Sequence, residues 1–120
     1  MGRRSRRRES GPAPESPSER VASPDGEQEL HLRTSMTAKT RRAYAAVLHD
    51  QSVSREDAWH RAVEFLFERL VVCWEINGVP TEGQRDLLLR LRAATTQERL
   101  FVRDALRRHC AEWFPDVEAP

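Results

Sequence analysis

The sequence predicts an all-α fold: a compact bundle of about four helices behind a disordered N-terminal tail. Three observations carry that expectation. After Met36, apolar residues recur at helical spacing, and the runs open on Ser or Thr caps. No segment reads as the apolar/polar alternation of a half-buried strand. Composition also changes sharply at Met36, from Pro, Ser and Arg to a mixed, apolar-rich sequence.

Residues 1–35 hold four of the seven prolines and three of the five glycines, and their only large aliphatics are Val21, Leu30 and Leu32. Such a segment buries too little apolar area to offset its ordering entropy, so it reads as disordered. Its charge is blocked: residues 1–8 carry five arginines and no acid, residues 9–35 two arginines against six acids. The basic octamer suits nucleic acid, nuclear targeting or a membrane surface, against the plainer reading of a solvated tail. No apolar stretch follows the arginines, which excludes a secretory signal. Met36 opens the ordered part and is a candidate true start, so residues 36–120 are expected to fold alone.

The first helix is expected over residues 38–50, capped by Thr37, with Ala43, Tyr44, Val47 and Leu48 on one side. The second is expected to run about 22 residues, or roughly 33 Å at about 1.5 Å per residue. Ser54 and Asp57 open it, Val53 and Ala58 are spaced as a hydrophobic staple, and Asn77-Gly78 before Pro80 ends it. Asp57, Arg61, Glu64, Glu68 and Glu75 form its one polar strip, so the rest of its girth requires cover. A third helix is expected over 82–93, with Thr81 and Gln84 as a capping box and Leu87, Leu88 and Leu91 inward. The fourth is expected over 96–113, with Thr95 and Glu98 as its capping box and Val102, Ala105, Leu106, Cys110 and Trp113 inward.

Catalytic and metal chemistries find little support. No two of His31, His49, His60 and His109 stand three or four apart, and no Cys-x-x-Cys occurs, so no metal or cofactor is expected. Cys73 and Cys110 fall on apolar faces, where a thiol is inert. Glu64 and Glu68 lie on the solvated strip, and the folded part has only Gly78 and Gly83, too few for a phosphate loop. The chain is expected not to be an enzyme. No apolar run is long enough to span a membrane, and a cytoplasmic protein is expected.

The favoured function is a small protein–protein interaction module that self-associates as a homodimer. Trp59, Phe65, Phe67, Val71, Val72, Trp74 and Leu89 exceed what a small bundle readily covers. Val71, Trp74, Arg69 and Leu89 are the candidate interface residues, Arg69 because it interrupts the apolar sector of helix two. The alternative is a DNA-binding regulator with a helix-turn-helix over residues 84–110. Arg99, Arg103 and Arg107 would form a stripe on its second helix, and Arg85 and Arg92 would add phosphate contacts. Against it, residues 36–120 are net neutral, and with Lys39 the sole lysine the Arg excess reads first as codon bias.

Overall fold

A computed structural model describes residues 17–120, in which four helices lie beside a four-stranded antiparallel sheet. The basic octamer, residues 1–8, lies outside the described residues. In chain order the elements are β1 (Ser18–Ala22), β2 (Gln28–Arg33), α1 (Ala38–Leu48), α2 (Arg55–Leu70), β3 (Val71–Ile76), β4 (Val79–Glu82), α3 (Gln84–Arg92) and α4 (Thr96–Trp113). The sheet order is β1-β2-β3-β4, with α1 and α2 inserted between the two central strands. The fold is therefore α+β, and the expected all-α helical bundle is corrected in two places.

The first correction is the second helix, which stops at Leu70 instead of running to Ile76. Val71-Val72-Cys73-Trp74-Glu75-Ile76 is rich in β-branched and aromatic residues, which fit a pleated, half-buried surface. The residues after it decide the matter. Asn77 (φ 51°) and Gly78 (φ 81°) make a two-residue hairpin turn with both central residues left-handed, the geometry Asn-Gly favours. The pair is thus a strand-to-strand turn rather than a helix cap. Pro80 follows on β4, an edge strand, where a missing N–H is tolerated. Gly78→Val is expected to cost about 1–2 kcal/mol, the penalty of a side chain in left-handed backbone; a urea melt measures it.

The second correction concerns the N-terminal segment read as disordered to residue 35. Ser18–Ala22 and Gln28–Arg33 form a hairpin that supplies half of the sheet. Its three large aliphatics all turn inward: Leu30 and Leu32 are fully buried, and Val21 packs against the same core. Leu30 stands opposite Trp74 and Leu32 opposite Val71, with a register shift between His31 and Leu32. Across that irregularity Val71 and Trp74 both reach the helical side. Glu29, His31 and Glu75 face the other side of the sheet.

Helix α2 is the centre of the helical layer and packs on α1, α3, α4 and β3. The core formed with the sheet contains Tyr44, Leu66, Phe67, Leu70, Trp74, Leu106 and Phe114. Trp74 is its largest fully buried side chain; its Nε1–H donates to Gln28 Oε1 at 3.2 Å, and its ring meets Phe67 edge-on at 5.7 Å. Buried His109 on α4 ties the hairpin down: Nε2 donates to the Arg33 carbonyl at 2.7 Å and Nδ1 lies 3.2 Å from Glu19 Oε1. Trp113 Nε1–H donates to the same carboxylate oxygen at 3.1 Å. His109→Leu strips Glu19 and the Arg33 carbonyl of that partner. It is expected to lower stability by about 2–3 kcal/mol, read as a lower urea midpoint at unchanged slope.

Candidate functional site

The chemistry-bearing side chains gather along a groove between α2 and α4, closed at one end by the C-terminus of α3. Local capping places its walls. The Ser54 hydroxyl accepts from the Asp57 N–H and starts α2, which sets Trp59 in the second turn. Thr95 and Glu98 cap one another reciprocally and start α4, which sets Arg99 and Leu100. Glu98 also accepts from Arg90 at 2.9 Å. That guanidinium, then the Thr95 N–H, hold the Glu98 carboxyl below its ordinary range, so the α3–α4 turn is fastened on both sides.

The groove encloses about 280 Å³. Its apolar wall is Trp59 and Val63 from α2, Leu91 from α3, and Leu100 with Val102 from α4. Trp59 is 38% exposed and Leu100 52% exposed, which leaves two large apolar side chains open to solvent on facing helices. The rim is basic. The Arg103 guanidinium carbon sits 4.4 Å from the centre of the Trp59 ring. Arg99 donates to the Arg92 carbonyl at 2.8 Å and to the Ala94 carbonyl at 3.3 Å, so its fork is held by backbone. Arg92 pairs with Glu64 at 3.3 Å, and His60 completes the rim. Among the described residues no carboxylate stands within ion-pair distance of Arg99 or Arg103.

The interface residues named from sequence divide. Val71 (6% exposed) and Trp74 (0%) are interior, so neither is available to a partner. The last part of the expected second helix, whose apolar girth argued for outside cover, is instead strand β3, covered by β2 and the helices. Arg69 and Leu89 are on the surface, the former with its guanidinium 4.9 Å from the Phe65 ring centre.

The arginines named for nucleic acid border different hollows. Arg92, Arg99 and Arg103 line the groove, whereas Arg107 borders a separate hollow with Phe101, Asp104 and the turn after β1. Arg85 is exposed in the first turn of α3. Helix α3 packs on α2, β3 and β4, and α4 packs on α2 and β2, with the Arg90–Glu98 ion pair and the Arg99 bond to the Arg92 carbonyl joining α3 to α4. Phe101 and Val102, early in α4, are buried in the core rather than presented outward. Trp59 and Leu100 are the residues sequence reasoning missed as a site. Their signal was available: each stands five residues after its helix's N-cap, off the buried positions Ala58, Ala62 and Leu66 of α2 and Val102, Ala105 and Leu106 of α4.

Burial pushes the Cys110 thiol up to about 11; burial, then Glu82 and Glu75, raise Cys73. Both thiols are free and buried, so both are expected to react slowly with a thiol reagent in the native state and rapidly in denaturant. Among the described residues no three His, Cys, Asp or Glu side chains converge as a metal site requires. Among them, too, no helix is long and apolar enough to cross a membrane. Comparison with protein-family models, with curated proteins and with solved structures finds no match to this chain.

Proposed function

We propose that the chain is a small, non-catalytic protein-interaction module that docks a segment of another protein in the groove between α2 and α4. The observation that carries the reading is the pairing of two solvent-open anchors, Trp59 and Leu100, on facing helices. Aromatic and arginine side chains in a shallow, well-packed pocket are the usual energetic centre of a protein interface. Trp59 beneath Arg103 supplies both, and the pre-placed Arg99 costs little further ordering on binding. The two free, buried cysteines suit a reducing compartment, and we place the module in the cytoplasm.

Peptides selected by phage display against the full chain test the reading, because selection requires no named partner. Selected peptides are expected to bind Trp59→Ala and Leu100→Asp at least about tenfold more weakly, the ordinary effect of truncating an interface anchor. Thermal midpoints of both variants are expected to stay close to the parent's, because both side chains are substantially exposed. Peptides that bind both variants as well as the parent chain would refute it.

A further inference from the structure

The groove also specifies the charge of what it takes: we propose that its occupant is an acidic, apolar-anchored segment, most simply one face of an amphipathic helix with Glu or Asp flanking its apolar residues. This rests on the docking reading above and adds the partner's chemistry.

The spacing comes first. Trp59 and Val63 stand one turn apart on α2, and Thr96 and Leu100 one turn apart on α4. Residues four apart on a helix are neighbours on its surface, about 5–6 Å between Cβ atoms. An incoming helix presents its own anchors at that interval, which is the helix-in-groove mode of recognition.

Charge then selects among such helices. Arg99 and Arg103 are fixed in place, one by two backbone carbonyls and the other by the Trp59 ring. Neither has a carboxylate partner among the described residues, while the one rim acid, Glu64, is already engaged with Arg92. A basic partner would meet two immobilised guanidinium groups at the mouth of an apolar slot, where like charges are costly. An acidic one would gain charge-assisted, fork-shaped hydrogen bonds from groups already in position. Arg103 has a second role, since moving off the ring would forfeit its stacking energy.

Three short helical peptides make the test, identical in their Leu and Phe anchors and differing only in flanking residues: Glu, Gln or Lys. Binding is read from the amide and indole resonances of Trp59, Leu100 and Arg103 in the full chain. The Glu peptide is expected to shift those resonances and to bind about tenfold more tightly than the Gln peptide, as two or three partly exposed ion pairs would give. The Lys peptide is expected to bind most weakly. In an Arg99→Glu, Arg103→Glu double variant the order of the Glu and Lys peptides is expected to reverse, with the chain's melting midpoint as the check on folding. Equal binding of the Glu and Gln peptides at the groove would overturn the charge inference and leave the docking reading in place. Failure of all three to move the groove resonances would overturn both.

Discussion

A chain that begins at Met36 is expected not to fold. It would lack β1 and β2, and with them the fully buried Leu30 and Leu32. Burying a leucine contributes about 1.5–3 kcal/mol, so those two alone approach the roughly 5–15 kcal/mol of a typical domain. Further losses follow. Trp74 would keep its Nε1–H but lose Gln28, and His109 would be left in the core without the Arg33 carbonyl or Glu19. Strand β3, central in the intact sheet, would expose a row of unpaired backbone groups next to apolar side chains, a template for aggregation. Circular dichroism melts of residues 36–120 and of the full chain decide it. The full chain is expected to melt cooperatively and the shorter one to show no cooperative transition. Equal midpoints would restore a self-sufficient domain from Met36 onward.

The second large effect is at Trp74. Trp74→Ala is expected to destabilise by about 3–5 kcal/mol, the cost of emptying a large aromatic site in a packed core. The side chain is fully buried, edge-on to Phe67, beneath the Arg90 guanidinium at 5.3 Å, and hydrogen-bonded to Gln28. A urea melt is expected to move to a lower midpoint with little change in slope. An interface residue would behave otherwise, changing molecular mass in solution and sparing the melt, so the experiment separates an interior Trp74 from an exposed one.

Helix starts were legible because they are local. Ser54 and Thr95 cap α2 and α4 as their sequences imply, and α4 ends at Trp113, before Phe114-Pro115. The Thr81–Gln84 box was not realised: Thr81 is used in β4, and Gly83 heads α3 with no side-chain cap bond. Strands were illegible for a different reason. Val71–Ile76 follows the apolar positions of α2 without a break, and in a short apolar run helical and strand periods cannot be told apart. Asn77-Gly78 fits either a helix end or a hairpin, and only the pairing of Ile76 with Val79 resolves it. Residues 18–33 looked too polar to fold because one hairpin face needs few apolar residues. Val21, Leu30 and Leu32 suffice when β3 lies beside them, and the partner strand is about 40 residues away in sequence.

The candidate site was hidden by the same non-local packing. Trp59 and Leu100 were visible as apolar residues, and Arg99 and Arg103 as a basic stripe, but not that the two sets share one groove. From sequence Arg103 reads as part of an arginine stripe on the second helix of a helix-turn-helix; its place on the Trp59 ring is a product of the α2–α4 packing.

The docking claim is tested most directly by isotope-filtered NMR of the labelled full chain bound to an unlabelled selected peptide. Expected are contacts from the Trp59 indole and the Leu100 methyls to the peptide's apolar side chains, with Arg99 and Arg103 resonances shifted alongside. Contacts confined to the outer face of the sheet, around His31 and Glu75, with Trp59 and Leu100 unperturbed, would contradict it.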